Sequence, residues 1–580
     1  MTLARALDAD QRADALHHLG TGELDVLVVG GGIVGVGAAL DAVTRGLKVG
    51  LVEQRDLASG TSSRSSKLVH GGLRYLEMFD FALVKEALEE RGLLLTRLAP
   101  HLVRPVPFLY PLEHAWERPY GGAGVALYDA MAMTGKYDMG VPKHKHVFRK
   151  QLARMAPDIR TDQLHGAIRY YDCQVDDARL VMTIARTAAN NGAHVATRTK
   201  VTGFLRQDDA EGARVVGVRA RDLEGQRDLE IRAKVVINAA GVWTDEVQDL
   251  IGGQAQLDVD ASKGIHIVVP RDRIRSECGF ITKTEKSVLF VIPWGHFWII
   301  GTTDTAWDLD LAHPAASKTD IDYLLGHVNT LLKDPLDHRD VIGVYAGLRP
   351  LLKPMRKEGE MGETTKLSRE HTVANPVPGL VLVAGGKLTT YRVMAKDAVD
   401  HALRHSLGES GMTPASITDR VPLMGAWGFE ARTNQRVSIS RSSGLDIGVV
   451  DHLLGRYGGL VDEVLALIDA RRDLDLGRPL EGAEHYLRVE VLYAVTHEGA
   501  RHLDDVLARR TRVSIETFDR GITAARPAAE LMAEALGWDD AQRDDEVDHY
   551  LRRVEAERQS QLKPTDQEAD EARVKAPDIV

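Results

Sequence analysis

Short apolar runs that end at glycine mark the start of the chain. Residues 25–29 are almost wholly apolar and meet Gly30 at once, and residues 48–53 repeat the pattern after a helix-compatible stretch that begins at Ile33. A short apolar run bounded in this way is typical of a buried parallel strand. The pattern therefore predicts a β-α-β unit here. Residues 380–384, which run into a Gly-Gly pair, predict a further buried strand.

Helical and strand-like periods divide the rest of the chain. Apolar residues keep helical spacing over residues 81–98, over 180–191 and after Thr389, and the pattern beyond about residue 415 is helical throughout. Residues 194–310 contain mainly strand-like stretches and turns. The mixture predicts an α/β (mixed α+β) protein with a parallel sheet, a β-rich second domain and an all-helical C-terminal domain. The expected division is 20–95, 175–262 and 375–405 for the first domain, 96–174 and 263–374 for the second, 415–555 for the helical domain, and 556–580 for a disordered tail.

Composition narrows the class of protein. The chain has 580 residues, 44% of them hydrophobic, a net charge of −11 and two cysteines. Two cysteines exclude a disulfide framework and a cysteine-rich metal site, and the negative charge argues against a surface that binds nucleic acid throughout. We expect no metal site and a reducing compartment. The N-terminus lacks the apolar region of a secretory signal, and no apolar run reaches roughly 18 residues, so we expect a protein that does not cross a membrane.

The sequence GGGIVG at residues 30–35 carries the most specific chemistry. It follows a predicted strand, opens a predicted helix and is followed by Glu53 at the end of the next strand. In a dinucleotide-binding loop of the form G-x-G-x-x-G, the glycine at the position of Gly30 permits a tight turn. The one at Gly32 lets backbone N–H groups approach a pyrophosphate, and the one at Gly35 lets helix and strand pack closely. The acid at the end of the next strand binds a ribose hydroxyl. We therefore predict that Gly30, Gly32, Gly35 and Glu53 bind a dinucleotide.

Two further loops favour FAD over NAD. Residues 56–67 are rich in Ser and Gly and stand where a nicotinamide-binding domain would continue with another helix and strand. Their small hydroxyl groups suit an extended cofactor. Residues 235–241, VVINAAG, form a later strand that runs into small residues, as in the returning segment of FAD-binding folds. Each loop alone is also compatible with an ordinary surface turn, but together with the glycine loop they favour FAD.

Five further motifs lie in order along the chain: SSKLVHGGLRYLE at 65–77, NAAGVW at 238–243, GTTDT at 301–305, GLRPLL at 347–352 and GGKLTTYR at 385–392. With the glycine loop they resemble the FAD-dependent glycerol-3-phosphate dehydrogenases of the respiratory type, over about two thirds of the chain. The helical C-terminus, with HEGARHLDDVLARRTR, also looks like that family's C-terminal domain. The resemblance implies a glutathione-reductase-type FAD-binding Rossmann domain, a substrate cap domain, and oxidation of sn-glycerol 3-phosphate to dihydroxyacetone phosphate with electrons passed to a membrane quinone.

The resemblance also implies which residues form the site. The expected catalytic residues are His266, Arg349 and Lys387, and the expected substrate-binding residues are Arg74, Tyr75, Arg349 and Lys387. The expected FAD-binding residues are Gly30, Gly32, Gly35, Glu53, Gln54, Thr61, Ser62, Ser66, Lys67, Leu68, His70, Gly71, Val201, Ala240, Gly241, Gly386, Lys387, Leu388 and Thr389.

Residue chemistry supports part of this assignment. A dianionic phosphate needs two or three cations, and the candidates are Arg74, Arg349 and Lys387. Arginine is preferred because it binds phosphate through two N–H groups, and lysine adds a positive charge. Removal of a hydride from C2 and a proton from its hydroxyl requires a base that works near neutral pH. Histidine is the usual choice, so we expect His266 to be the base, with Lys263 as a weaker candidate.

A helix start is expected beside the flavin. Reduced flavin carries negative charge near N1, which the N-terminus of a helix stabilises. The turn after residues 380–384 leads into such a helix, and we expect Thr389 or Thr390 to cap it. His70 is expected nearby.

Other functions stay open at this point. The same fold serves oxidases that pass electrons to O₂, amine or amino-acid oxidases, and non-catalytic FAD-binding proteins. Two arginines and a lysine suit a phosphate better than the carboxylate of an amino acid, but the sequence does not decide between quinone and O₂ as acceptor. Oligomeric state is also open, with a homodimer as one option.

A quinone acceptor implies a protein that docks on the inner, cytoplasmic face of the cytoplasmic membrane. The best candidate surface is residues 116–150, where aromatic residues alternate with Lys136, Lys143 and Lys145. The alternative is a cap-domain loop whose aromatic residues pack inward.

Overall fold

The computed structural model describes residues 5–76, 79–209, 212–252, 259–284, 288–352, 371–406, 414–576 and 579. The strands, in chain order, are β1 (Glu23–Val29), β2 (Val49–Val52), β3 (Leu68–Val69), β4 (Arg104–Leu112), β5 (Lys145–Phe148), β6 (Gly166–Gln174), β7 (His194–Ala196), β8 (Thr199–Asp209), β9 (Gly212–Asp222), β10 (Arg227–Asn238), β11 (Val259–Pro270), β12 (Gly279–Lys283), β13 (Val288–Trp294), β14 (Phe297–Gly301), β15 (Thr305–Trp307), β16 (Gly343–Leu352), β17 (His371–Val377), β18 (Leu380–Gly385), β19 (Pro479–Leu480) and β20 (Ala483–Leu487).

The α-helices are α1 (Ala9–Thr21), α2 (Ile33–Thr44), α3 (Phe81–Leu93), α4 (Glu117–Met133), α5 (Arg149–Met155), α6 (Asp177–Asn190), α7 (Thr244–Asp249), α8 (Lys318–Asn329), α9 (Tyr391–Ser406), α10 (Phe429–Asn434), α11 (Arg436–Ser443), α12 (Ile447–Tyr457), α13 (Val461–Ala470), α14 (Arg488–Glu498), α15 (Val513–Glu516), α16 (Ile522–Leu536), α17 (Asp540–Ser560) and α18 (Asp566–Arg573). Segments of π-helix lie at Leu94–Leu98 and Asp505–Arg510.

The first sheet has the strand order β17-β18-β10-β1-β2-β7, in which β18, β10, β1, β2 and β7 run parallel. The strands β1, β2 and β18 confirm the three apolar runs predicted to be buried. Helices α2, α6 and α9 share a hydrophobic core with one face of the sheet, and α1 with the β8–β9 hairpin covers the other. The small residues of α2 allow close packing, since a Cβ on Gly37 would lie 3.0 Å from the Tyr391 ring of α9. This is the predicted Rossmann-type layer arrangement.

The second sheet has the strand order β15-β11-β14-β13-β12-β4-β6-β3, with β16 paired to β11 and β5 paired to β6. Most of its strand pairs are antiparallel. Helix α8 packs on one face around the buried Trp298, and α3 and α4 pack on the other around Phe108 and Tyr170. The predicted helix over residues 81–98 is confirmed as α3 and the π-helical segment that continues it.

The C-terminal segment is helical as predicted, apart from the two-stranded hairpin β19–β20. Helices α12, α13, α14, α16 and α17 surround its core. The predicted disordered tail is wrong, because α17 continues to Ser560 and α18 follows it. Although the tail is polar, α18 buries Ala569 and Ala572, and Asp566 at its start pairs with the buried Lys263 (2.5 Å). Small apolar residues and polar contacts hold it, among them a second ion pair between Arg573 and Glu557 (3.5 Å).

Candidate active site

The carboxyl ends of four neighbouring parallel strands form a cradle lined by backbone. β1, β2, β10 and β18 end at the same edge of the sheet, the position at which open α/β folds bind ligands. Gly30, directly after β1, has φ +113°, and a Cβ there would lie 2.6 Å from the carbonyl oxygen of Ala239. A Cβ on Gly35 would lie 1.9 Å from the carbonyl oxygen of Gly30. The loop therefore requires glycine at these positions, and it leads directly into the N-terminus of α2.

Glu53 lies directly after β2, beside this cradle. Its carboxylate accepts hydrogen bonds from the backbone N–H groups of Gly31 (2.6 Å) and Arg55 (2.7 Å). Burial raises the pKa of Glu53, and the two amide hydrogen bonds oppose that shift. The strand β8 begins here, since the N–H of Thr199 donates to the Glu53 carbonyl (2.8 Å) and Val201 follows two residues later. The predicted FAD contact Val201 is thus on the strand that begins beside Glu53.

The serine-rich loop after β2 folds over the start of α2. The Ser62 hydroxyl accepts a hydrogen bond from the N–H of Ile33 (3.0 Å), so it satisfies one backbone donor of the first helical turn. The Thr61 hydroxyl donates to the carbonyl of Leu348 on β16 (2.6 Å), which ties the loop to the second sheet. The remaining predicted FAD contacts follow the strands of the two sheets: Gln54 is exposed after β2, Leu68 lies in β3, Gly71 follows β3, Ala240 and Gly241 follow β10, and Gly386, Lys387 and Leu388 follow β18.

The Lys67 side chain does not point to the predicted cofactor site. Its buried ammonium group donates to Asp177 Oδ1 (2.8 Å) and to the carbonyl of Ser63 (3.1 Å). These contacts hold the loop. The backbone of Lys67 is also engaged, since its N–H donates to the Ser65 hydroxyl (3.0 Å) and its carbonyl accepts from the N–H of Val175 (3.0 Å), so only the second lone pair of that carbonyl is left for a cofactor. The neighbouring Ser66 hydroxyl lies 2.8 Å from Nε2 of His266.

The turn after β18 meets the turn after β3. The Thr389 hydroxyl donates to the carbonyl of His70 and accepts from its N–H, each at 3.1 Å. The predicted capping role of Thr389 is therefore wrong, because its hydroxyl is engaged by His70. Thr390 is buried beside it.

The predicted base and the predicted phosphate ligand come from neighbouring antiparallel strands. In the pairing of β11 with β16, His266 lies opposite Tyr345 and Gly264 lies opposite Gly347, with Arg349 two positions further along β16. Because side chains alternate along a strand, these residues share one face of the sheet. A Cβ on Gly264 would lie 2.7 Å from Nη2 of Arg349. Glycine therefore lets the guanidinium extend over β11 toward the histidine.

His266 is held from two sides. Its ring stacks on Tyr345, with centroids 4.8 Å apart, and its Nε2 lies 2.8 Å from the Ser66 hydroxyl. Within the described ranges no residue forms a hydrogen bond with Nδ1. Burial lowers the pKa of His266 well below its ordinary value, and the positive charges of Arg349 and Lys67 lower it further. The imidazole is therefore neutral near pH 7, as a general base requires.

Arg349 is oriented by the residues that follow β14. Its guanidinium donates to the carbonyl of Thr303 (3.3 Å) and to the hydroxyl of Thr302 (3.1 Å), and it pairs with Asp304 (3.3 Å). The side chain is 35% exposed. Arg349 is thus a partly exposed cation in a fixed orientation, which suits the binding of a phosphate.

The prediction of Lys263 as an alternative base is wrong. It lies three residues before His266 on β11, and an odd spacing puts the two side chains on opposite faces of a strand. The ammonium group of Lys263 is buried and donates to Asp320 (2.7 Å) and Asp566 (2.5 Å). It is a paired structural cation.

The other predicted substrate ligands lie in turns. Arg74 and Tyr75 belong to the 3₁₀ turn Leu73–Leu76, and their side chains fall outside the described residues. Lys387 opens the turn after β18, and β18 packs against β16, the strand that carries Arg349.

Four residues of this site are not predicted from the sequence. Thr302, Thr303 and Asp304 lie in the GTTDT motif, to which the sequence assigns no role, and they contact Arg349. Tyr345 lies four residues before Arg349, and this even spacing within one strand is the signal that places both on one face.

The surface predicted to meet a membrane, residues 116–150, has some aromatic residues buried and others exposed. Its main element is α4, in which Tyr128 is buried, whereas Trp116 and Tyr120 are 62% and 66% exposed. Lys136 pairs with Asp419 (3.0 Å). Throughout the described parts of the chain, no helix has both the length and the apolar character needed to cross a bilayer.

Known proteins resemble this chain over nearly its whole length. Residues 25–397 match the family of FAD dependent oxidoreductases, and residues 416–543 match the C-terminal domain of alpha-glycerophosphate oxidase. The chain is 55% identical to glycerol-3-phosphate dehydrogenase 2 of Mycobacterium tuberculosis over 99% of this chain and 95% of that protein. It is 36% identical to the mitochondrial glycerol-3-phosphate dehydrogenase of Homo sapiens over 91% of this chain and 72% of that protein. The crystal structure of a glycerol-3-phosphate dehydrogenase from Bacillus halodurans complexed with FAD has a TM-score of 0.76 and 29% identity, over 95% of this chain and 98% of that chain.

Proposed function

The chain belongs to the FAD-dependent oxidoreductases and, among them, to the glycerol-3-phosphate dehydrogenases, and on this premise we propose that it oxidises sn-glycerol 3-phosphate to dihydroxyacetone phosphate and passes the electrons to a membrane quinone. FAD bound along the carboxyl edge of the first sheet would supply the acceptor for the hydride of C2. The observation that carries the proposal is the shared face of β11 and β16, where the neutral base His266 lies beside the oriented cation Arg349.

The residues at the carboxyl edge of the first sheet fit FAD. Gly30 and Gly35 exclude side chains where backbone packs on backbone, so the N-terminus of α2 can meet a pyrophosphate. The Glu53 carboxylate accepts two amide hydrogen bonds and has lone pairs left for a ribose hydroxyl. The further proposed FAD contacts are Gly32, Gln54, Thr61, Ser62, Ser66, the backbone of Lys67, Leu68, His70, Gly71, Val201, Ala240, Gly241, Gly386, Lys387, Leu388 and Thr389.

His266 acts as the base in this proposal. Ser66 lies at hydrogen-bond distance from Nε2, and the tautomer with a proton on Nε2 leaves the lone pair on Nδ1. Nδ1 then accepts the proton of the C2 hydroxyl as the hydride departs. The low pKa of His266 keeps this lone pair available near neutral pH.

Arg349 binds the substrate phosphate, together with Arg74, Tyr75 and Lys387. The guanidinium is fixed by Thr303 and is partly exposed, so it can accept an anion without first being reoriented. The parallel sheet and the helices on its faces bind FAD, the antiparallel sheet with β11 and β16 holds the substrate, and the helical segment from about residue 415 packs against both.

Quinone reduction requires that the protein meet a lipid surface. The exposed Trp116 and Tyr120 on and beside α4, with the exposed Lys143 and Lys145 nearby in the chain, support docking of this face on the cytoplasmic membrane. Attachment of this kind is peripheral or monotopic.

Turnover with a dye acceptor tests the proposed reaction. Purified protein should reduce the dye with sn-glycerol 3-phosphate and not with glycerol, which lacks the phosphate that Arg349 binds. Peroxide yield in the presence and absence of quinone identifies the acceptor, and a stoichiometric yield of peroxide with quinone present would make the protein an oxidase. No dye reduction by the FAD-loaded protein would contradict the proposal.

A further inference from the structure

The carboxylate of Asp177 binds two residues of the serine-rich loop, Ser65 and Lys67, together with Arg512 of the C-terminal segment. Its Oδ2 accepts from the N–H (2.9 Å) and the hydroxyl (2.7 Å) of Ser65, and its Oδ1 accepts from the Lys67 ammonium (2.8 Å) and from Arg512. Asp177, Lys67 and Arg512 are all buried. Loss of this carboxylate would leave two buried cations short of a counter-charge. Asp177 therefore fixes the residues on both sides of Ser66.

Ser66 transmits this constraint to the proposed base. Its hydroxyl lies 2.8 Å from Nε2 of His266. Lys67, the next residue, has φ +57°, a left-handed conformation that persists in a non-glycine residue only where its surroundings hold it. Tyr345 adds a second connection, since its hydroxyl donates to the Ser65 carbonyl (3.0 Å) while its ring stacks on His266.

Arg512 brings the helical C-terminal segment into this arrangement. It lies between the π-helical segment Asp505–Arg510 and α15. Besides Asp177, its guanidinium contacts Asp176 and donates to the carbonyl of Ser63 (3.2 Å). A residue outside both sheets thus holds the loop that contacts the base.

We propose that Asp177 and Arg512 are positioning residues for the oxidation, which hold residues 63–67 so that Ser66 keeps the His266 imidazole in its productive orientation. The proposal rests on the assignment of His266 as the base in the proposed function. Asp177 and Arg512 act through Ser66 and are not catalytic residues. The helical C-terminal segment therefore contributes to kcat as well as to stability.

A double-mutant cycle with Asp177→Asn and Ser66→Ala in the full-length, FAD-loaded protein tests this route. Asp177→Asn is expected to lower kcat about 10-fold or more, since a small misplacement of a catalytic group is costly. KM for glycerol 3-phosphate should change by less than about 2-fold, because Arg349 is untouched. In the Ser66→Ala background, Asp177→Asn should have little further effect on kcat. Independent, multiplicative losses in the double variant would overturn the proposal.

Arg179→Met is the matched control. Arg179 lies on α6 two residues after Asp177, is buried, and pairs with Glu498 of α14 (2.6 Å), so it joins the same two parts of the chain at a different place. This variant is expected to lose stability but to keep kcat within about 2-fold, because it does not act through Ser66. A loss of kcat as large as that of Asp177→Asn would show a merely structural role.

Hydrogen–deuterium exchange measures the loop without turnover, in protein with and without FAD. Asp177→Asn should accelerate exchange at residues 63–70, and Arg179→Met should not. Unchanged exchange in Asp177→Asn would overturn the proposal. Should Asp177→Asn fail to fold, Ser65→Ala removes one hydroxyl bonded to Asp177 and takes its place in the cycle and in the exchange measurement, with the same expected results.

Failure of the proposed function and failure of the positioning proposal give different results in these experiments. If the wild type oxidises glycerol 3-phosphate but His266→Gln keeps full kcat, the base is another residue and the positioning proposal fails with it. If the wild type does not oxidise glycerol 3-phosphate, the proposed function fails, while the exchange measurement still decides whether Asp177 orders the loop.

Discussion

His266 stacks on Tyr345 with ring centroids 4.8 Å apart and ring planes 11° from parallel. The two residues are paired across β11 and β16, so the register of the sheet sets the distance between the rings. A base held in this way does not have to be oriented when the substrate arrives, which lowers the entropic part of the barrier. Arg349 lies on the same strand as Tyr345, so β16 orients both the proposed base and the proposed phosphate ligand.

The pH profile of kcat should report the environment of His266. The base must be neutral to act, and burial together with the charges of Arg349 and Lys67 lowers its pKa. Activity should therefore persist below the ordinary histidine value of about 6.5 and fall only as the pH drops through the lowered pKa. Arg349→Met removes one of these charges, so its acid limb should move to higher pH. A wild-type limb at or above the ordinary value would contradict this assignment.

Arg349→Ala should lower kcat/KM by roughly 30-fold to several thousand-fold, since losing one partner of a charged pair that is desolvated on binding costs about 2–5 kcal/mol. Because Arg349 is 35% exposed, we expect the lower part of this range. Flavin content should stay near that of the wild type. Arg339→Ala, at an exposed arginine that pairs with its neighbour Asp337, is the control and should leave the steady-state kinetics unchanged. If kcat/KM of Arg349→Ala stays within about threefold of the wild-type value, Arg349 does not bind the substrate phosphate.

The sequence predicts the parts of this site that depend on local rules. The strand–glycine–helix order at Gly30 and Gly35 is a local pattern, and backbone packing confirms the need for glycine there. The opposite faces of Lys263 and His266 follow from strand alternation, but only once β11 is known to be one continuous strand. The Lys67–Asp177 pair joins residues more than a hundred positions apart, so no local pattern indicates it. The same holds for the tail helix α18, whose few buried alanines carry a weak periodic signal.

The contact between the C-terminal helices and the first sheet should weaken at high pH. His502 lies between Glu546 (2.6 Å) and Glu224 (3.0 Å). Burial alone would lower the pKa of His502, but the hydrogen bonds to the two carboxylates raise it to about 9. A pKa raised above the unfolded value of about 6.5 gives stability that is present below pH 6.5 and lost as the pH rises through 9, roughly 3 kcal/mol in all.

The unfolding midpoint in urea, measured from pH 6 to 10, tests the role of His502. We expect the wild type to lose stability over this interval and His502→Gln to show a flatter profile with lower stability at pH 6. His17→Gln, at an exposed position on α1, is the control and should follow the wild type. Parallel profiles for the wild type and His502→Gln would show that His502 does not carry the effect.

Membrane docking should depend on the exposed basic residues after α4. Lys136 is the least suitable of the three lysines for this test, because it pairs with Asp419 (3.0 Å). Replacing Lys143 and Lys145 by Glu should weaken flotation with anionic liposomes by about 2 kcal/mol or more, roughly 30-fold, while activity with a dye persists. The matched variant with Glu at the exposed Lys200 and Arg206 of β8 should float like the wild type. Unchanged flotation of the variant with Glu at positions 143 and 145 would show that another face of the protein contacts the membrane.

Anaerobic mixing of the FAD-loaded protein with sn-glycerol 3-phosphate is the most direct test of the central claim. The account predicts that the visible flavin absorbance bleaches in a single turnover, that glycerol does not bleach it, and that His266→Gln retains FAD but bleaches about 100-fold to 10,000-fold more slowly, the usual contribution of a general base. An oxidised spectrum that persists in the wild type at saturating substrate, or bleaching in His266→Gln at the wild-type rate, would contradict it.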